Sequence, residues 1–282
     1  MILERLNLQV VKQIDNAVFE VMNTAGMLFY WVDHPKVKAL ISQQGAQLLS
    51  FRPNLGQEKL WLSPITKFEP GSAIRGGVPI CWPSFGDSNP SLPGHGYARI
   101  NDWHLEEIDT TEQQCKLIFR LNSRLDPLID LKCEYVLNQQ ASIQLTTTNN
   151  SEQIFSFNGA LHSYFCADVA KLQITGLGDH YFDSVTRQNV TVTEPFSLAP
   201  RTDRIYLQPE ATTRLDSSYG LVNIHHRGHN SVVVWNPGTE LASNMVDIQQ
   251  YSTQFICIET ALTQTTIDLE PKQSHSLEQQ IV

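Results

Sequence analysis

Leu131-Lys132-Cys133-Glu134-Tyr135-Val136-Leu137, Asn138-Gln139-Gln140, Ala141-Ser142-Ile143-Gln144-Leu145-Thr146: this run decides the fold class. Leu131, Cys133, Tyr135 and Leu137 fall on one face of an extended chain, while Lys132 and Glu134 fall on the other. A polar break follows, and then Ala141, Ile143 and Leu145 alternate with Ser142, Gln144 and Thr146. A period of two on either side of a turn describes two antiparallel strands with one buried and one wet face. Upstream, Cys115, Leu117, Phe119 and Leu121 repeat the alternation against Lys116 and Arg120. Further strands are expected over Ala17–Asn23, Leu28–Asp33, Gln47–Phe51, Ile154–Phe157, Leu161–Phe165, Val190–Thr193, Leu221–His225 and Val232–Trp235. Helical periodicity is confined to the first dozen residues and to Ala242–Gln250, so the chain is mostly β with few short helices.

The composition suits such a fold. Of 282 residues, 41% are hydrophobic and 17% charged, enough apolar content for a sizeable core. No fixed-period repeat and no long linker divides the chain, so residues 1–282 are expected to form a single domain. The net charge of −9 opposes long-range attraction to phosphate backbones, which argues against a nucleic-acid partner. It leaves room for a small phosphorylated ligand held by one or two arginines. Cys81, Cys115, Cys133, Cys166 and Cys257 are odd in number and widely spaced, with no CxxC pair. A disulfide framework and a structural zinc site are both disfavoured. The first residues carry charge where a leader peptide places its apolar core, and no apolar run approaches the roughly 20 residues needed to cross a bilayer. The expectation is a cytoplasmic protein without a membrane partner, and a monomer, since no heptad pattern appears.

One region departs from the strand pattern. Between Ser63 and Asn101, 12 of 39 residues are Pro or Gly, against 29 of 282 in the whole chain. Long irregular segments inside compact β-domains are uncommon and usually functional when ordered. Arg75, His95 and Arg99 lie in it. Two guanidinium groups from one loop region can clamp a phosphate or sugar hydroxyls, and Gly76-Gly77 permits close backbone approach to a ligand. Elsewhere, parity puts His162 on a face with Ala160 and Tyr164, where an imidazole can exchange protons near its ordinary pKa of about 6.5. Glu259 ends the apolar run Phe255-Ile256-Cys257-Ile258, where partial desolvation would make its carboxylate a stronger base. Taken singly, each has a structural reading at least as good: a hydrogen-bonded histidine, a solvated strand-end glutamate, a surface arginine. His225-His226-Arg227-Gly228-His229 looks like a metal cluster, but adjacent residues of a strand face opposite ways and no nearby acid or thiol completes a ligand shell. No P-loop, GxGxxG or GxSxG motif is present.

Read together, these segments resemble one family. Arg75-Gly76-Gly77-Val78-Pro79-Ile80-Cys81-Trp82-Pro83-Ser84-Phe85-Gly86 is similar to the RGG-x-P signature of the hexose-6-phosphate mutarotases, or glucose-6-phosphate 1-epimerases, a branch of the aldose 1-epimerase superfamily. Leu92-Pro93-Gly94-His95-Gly96-Tyr97-Ala98-Arg99, Ala160-Leu161-His162-Ser163-Tyr164-Phe165 and Ile256-Cys257-Ile258-Glu259 resemble three further blocks, in the family's order. The resemblance implies a large antiparallel β-sandwich of the galactose-mutarotase type, with a sugar site on a concave sheet face. It implies His162 as general acid and Glu259 as general base. Arg75, His95, Arg99 and, on a shorter motif, Asp203 become contacts to a small sugar phosphate. No metal and no cofactor is called for. The alternatives are a mutarotase of neutral aldoses and a carbohydrate-binding sandwich without catalysis. A glycoside hydrolase fits less well, since it wants two carboxylates across the scissile bond.

Overall fold

A computed structural model describes residues 2–121, 126–192 and 195–282. Strands dominate and pair antiparallel in three sheets. The first is a five-stranded meander, Gln9–Gln13, Val18–Met22, Leu28–His34, Val37–Ser42 and Leu48–Pro53, in sequence order. The second, eight-stranded, runs Gln173–Thr175, Thr212–Ser217, Gly220–Arg227, Ser274–Ile281, Ala141–Asn149, Ile129–Leu137, Cys115–Leu121, His104–Thr110. The third is built around the long strand Phe255–Leu269. On one side it carries Ser231–Asn236, then Thr202–Tyr206, His180–Asp183 and Gln188–Thr191. On the other side Phe155–Leu161 and Tyr164–Cys166 pair with it, and Ile80–Cys81 adds to Phe155–Leu161.

The alternating faces read from the sequence are the faces that pack. Leu131, Cys133, Tyr135 and Leu137 are buried, and so are Ala141, Ile143 and Leu145 opposite them. These residues form one core with Leu161, Val232, Val234, Ile256 and Ile258 of the third sheet and Val18, Tyr30 and Val32 of the meander. The second and third sheets therefore stack as the two layers of a sandwich. Each fully buried large apolar side chain contributes about 1.5–3 kcal/mol. The meander's other face, with Phe29, Trp31 and Leu40, is covered by Ile2, Leu3 and Leu6 from the N-terminal turns.

Several boundaries differ from expectation. The N-terminal helix spans only Ile2–Arg5, because Gln9–Gln13 already pairs with Val18–Met22. The second helix runs Gly238–Ser243 rather than Ala242–Gln250; the Asn244 amide donates back to Leu241 and Ala242, the chain turns out, and a 3₁₀ stretch follows at Gln249–Gln254. The strand expected over Ile154–Phe157 continues to Leu161. The strand expected over Leu161–Phe165 is interrupted at His162 and Ser163, where the His162 amide donates to the Pro79 carbonyl at 3.0 Å. The strand near Val190 covers Gln188–Thr191, and Thr193 lies outside the described residues.

Candidate active site

The site lies on the face of the third sheet turned away from the shared core. Leu161 pairs with Thr260 and Tyr164 with Cys257, and the Ile258 amide donates to Ser163 O at 3.1 Å. That register places His162 directly opposite Glu259, so both side chains leave the same face of the ladder. His162 Nε2 and Glu259 Oε1 stand 3.4 Å apart, and the two residues are only 6% and 1% exposed. His162 Nδ1 and Glu259 Oε2 are buried without a hydrogen-bond partner.

Aromatic groups fix the imidazole. It stacks on Tyr164 with ring centroids 4.9 Å apart and planes 7° from parallel, while Trp235 meets it edge-on at 6.1 Å. Parity puts Trp235, Cys257 and Asp203 along one row, through the pairs Trp235–Cys257 and Asp203–Trp235. Behind the His162–Glu259 rung, a buried polar chain ties the two sheets together. Ser163 Oγ donates to Gln279, whose amide donates to Thr260 Oγ1 at 2.8 Å. Thr260 in turn meets His226 Nδ1 at 2.7 Å, and His226 Nε2 meets Thr213 Oγ1 at 3.0 Å. A fully satisfied buried network of this kind holds a sheet in one arrangement.

This network gives a pH test. Burial, then the neighbouring His229 and His225, depress His226 to about 3 from its ordinary 6.5. Below pH 6.5 the unfolded chain protonates this residue while the folded chain does not, so its neutral form costs folding stability as pH falls toward 3. Between pH 7 and 5.5 wild type is expected to lose about 1 kcal/mol more unfolding free energy than His226→Gln, read from urea melts at both pH values. Equal losses in the two proteins would show that His226 is not held neutral.

The irregular Ser63–Asn101 segment supplies the rim. Arg75 Nε donates to Asp247 Oδ2 at 2.8 Å and Nη1 to the Tyr164 hydroxyl at 2.9 Å. Burial opposes the Arg75 charge, but Tyr164 and Asp247 outweigh it and hold the guanidinium firmly protonated. Arg99 donates from Nη2 to the Gly94 carbonyl at 2.8 Å; its Nε is buried without a partner, and among the described residues it has no carboxylate ion pair. His95 has a left-handed backbone, φ 62°, and its ring lies 5.5 Å from that of His162. Burial, Arg99 and Arg75 push His95 down to about 3, so it stands neutral.

Gly76 and Gly77 play a different part from the one expected. A Cβ on Gly76 would strike the Trp61 carbonyl and one on Gly77 the Leu48 carbonyl, and both have positive φ. They let the loop press against neighbouring strands rather than a ligand, and so aim Arg75.

Electrostatics define what the central pair can do. Burial, followed by His95, Arg99 and Arg75, drives His162 well below its ordinary value. Burial and then Asp203 drive Glu259 well above its own, with Arg99 opposing. Asp203 is itself raised, mainly by burial. Burial thus disfavours the charged form of both groups, more strongly than the nearby charges favour it. An imidazole and a carboxyl group thus stand side by side with almost no exposure to solvent.

All six residues singled out in the sequence gather here: His162 and Glu259 face each other, Arg75, His95 and Arg99 reach them from the loop, and Asp203 lies close enough to affect Glu259. Asp247 was missed, because its segment reads as helix. Its signal was that no other charged residue lies between Glu240 and Glu259. The His225–His229 run splits as expected, with His226 buried in the network and His225 on the opposite face against Thr212. A separate cavity of about 600 Å³, lined by Ile2, Phe19, Trp31, Arg52 and Glu58 among others, lies on the meander's outer face, away from this site.

Comparison with known proteins identifies the family to which this antiparallel sandwich, with its histidine–carboxylate rung, belongs. Residues 29–282 match the aldose 1-epimerase family, and the chain belongs to that family. A protein of Escherichia coli (strain K12), provisionally named a glucose-6-phosphate 1-epimerase, is 36% identical over 260 residues, covering 89% of this chain and 88% of that one. A crystal structure from Salmonella typhimurium, provisionally described as a mutarotase, superposes with a TM-score of 0.92 at 33% identity, over 100% of this chain and 98% of that one. A galactose mutarotase related enzyme from Lactobacillus acidophilus shares the fold at 14% identity and a TM-score of 0.68, covering 90% of this chain and 96% of that one. Among the described residues, no helix is long and apolar enough to cross a membrane.

Proposed function

We propose that this chain interconverts the α and β anomers of a hexose 6-phosphate, glucose 6-phosphate in the first instance. The single observation that carries the reading is the His162–Glu259 pair, an imidazole and a carboxyl group 3.4 Å apart on a buried sheet face. Opening a cyclic hemiacetal needs a proton delivered to the ring oxygen and another removed from the C1 hydroxyl. Closing after rotation about C1–C2 needs the reverse. His162 serves the ring oxygen and Glu259 the C1 hydroxyl, and each regains its starting state when the ring closes on the other face. The imidazole enters as acid when the carboxyl proton has passed to it, a transfer that substrate oxygens between the two groups can carry. Arg99 opposes the upward shift of Glu259 and so favours the carboxylate that accepts the C1 proton.

The phosphate ester is favoured by the two arginines at the rim and by the names of the relatives. Arg75 is already matched by Asp247, so the uncompensated positive charge belongs to Arg99. Arg99 takes the phosphate, Arg75 and His95 orient the sugar, and Asp203 contacts a hydroxyl beside Glu259. All of this is assigned to one catalytic domain acting as a monomer. A cytoplasmic setting accords with five free cysteines, which persist where thiols stay reduced. Because Arg75 is neutralised, contact with an uncharged hydroxyl is equally available to it, which keeps a neutral-aldose mutarotase as the second reading.

Proton NMR saturation transfer on equilibrated glucose 6-phosphate, with glucose as comparison, tests the reading. Protein-dependent exchange of the ester in excess over glucose is expected. Equal exchange of both sugars would move the substrate to neutral aldoses, and acceleration of neither would sink the catalytic assignment.

A further inference from the structure

One donor near the acid–base pair has no part in anomer exchange. Cys257 lies two residues before Glu259 on the same strand and the same face, and it is fully buried. One donor atom each from His162, Cys257 and Glu259 lies within 4.8 Å of the other two. A tetrahedral ion bound at roughly 2.3 Å to sulfur and 2.0–2.2 Å to nitrogen or oxygen sets its donors about 3.3–3.8 Å apart. The His162–Glu259 separation of 3.4 Å already fits one edge of that tetrahedron. Glu259 Oε2 and His162 Nδ1 are two further buried polar atoms at this place that no protein group satisfies.

We propose that His162, Cys257 and Glu259 form a three-donor site for a borderline-soft divalent cation of the zinc class, and that its occupancy shuts off the acid–base pair. A thiolate, an imidazole and a carboxylate suit such ions; magnesium and calcium prefer all-oxygen shells of six or more ligands. On binding, the thiol and the carboxyl release their protons to solvent, the imidazole gives its free lone pair, and a water fills the fourth position. No electron transfer is involved. His162, whose side chain is 8% exposed against 1% for Glu259, marks the side from which an ion would approach. Binding stands independently of the enzymatic reading, whereas the effect on turnover rests on it.

The test titrates the whole protein with Co²⁺ and follows thiolate-to-cobalt charge-transfer absorption, then displaces the ion with Zn²⁺. The expected result is this absorption on wild type, an apparent affinity lowered about tenfold or more in Cys257→Ser and in His162→Asn, and no response to Mg²⁺. In parallel, Zn²⁺ is expected to suppress anomer exchange reversibly, with a chelator restoring it. Its half-inhibitory concentration should rise at least about tenfold in Cys257→Ser when each protein is normalised to its own metal-free rate. Absence of the thiolate band on wild type, or an unchanged band and affinity in Cys257→Ser, overturns the site. A band that follows Cys257 in a protein with no exchange activity upholds the site and overturns the enzymatic reading instead.

Discussion

Glu259→Gln is expected to slow anomer exchange by about 10²–10⁴-fold, the usual contribution of one positioned acid–base group. That corresponds to about 2.7–5.4 kcal/mol of transition-state stabilisation. Glutamine keeps the shape of the side chain but cannot accept the C1 proton. The same substitution is expected to leave the melting temperature unchanged or raise it. Glu259 is 1% exposed, its Oε2 has no hydrogen-bond partner, and burial disfavours its ionised form. Removing an ionisable group from such a place lifts a desolvation cost. Saturation-transfer rates and thermal melts on the same preparation check both halves. Full activity in the folded variant would remove Glu259 from the chemistry, and a large drop in melting temperature would show that the carboxyl holds the fold. His162→Asn should lose activity over a similar range, and the double variant should be little worse than either single one, because the two groups act as a unit.

Arg99→Ala is expected to raise KM for glucose 6-phosphate about 10–100-fold, with a smaller change in kcat and little change in the slower exchange of glucose. A charge-assisted hydrogen bond to phosphate is worth about 1.5–3 kcal/mol, which converts to that range. The choice of Arg99 over Arg75 follows from their partners. Arg75 is committed to Asp247 and the Tyr164 hydroxyl, whereas Arg99 has one carbonyl contact, at Gly94, and a buried unpartnered Nε. Initial-rate measurements on both sugars decide the matter. A parallel loss on ester and free sugar would assign Arg99 to the sugar ring, and no loss on either would remove it from the site.

The local hairpin Ile129–Asn149 was open to reading because both strands and their turn lie within one stretch, and alternation alone fixes which residues face inward. Parity likewise told the face of His162. The opposition of His162 and Glu259 was out of reach, because the pairing register of strands far apart in the chain is set by the assembled sheet and leaves no trace in either segment. The family resemblance named both residues without indicating that they share a rung. Asp247 was hidden for a related reason: its role depends on Arg75, which only the folded chain brings near. In the sequence Gly76 and Gly77 read as allowing close approach to a ligand, whereas the neighbours they admit are backbone carbonyls of Trp61 and Leu48, which only the folded chain brings near.

The His162–Glu259 rung belongs to the sheet, whereas Arg75 and Arg99, proposed above as the sugar-phosphate contacts, belong to the Ser63–Asn101 segment. On that proposal the reacting groups and the selecting groups are mounted on different parts of the scaffold. Loop sequence can drift, lengthen or be exchanged, and what enters the pocket changes, while the spacing of the two proton carriers stays fixed by the backbone ladder beneath them. Such a division lets one unchanging reaction be handed from one sugar to another.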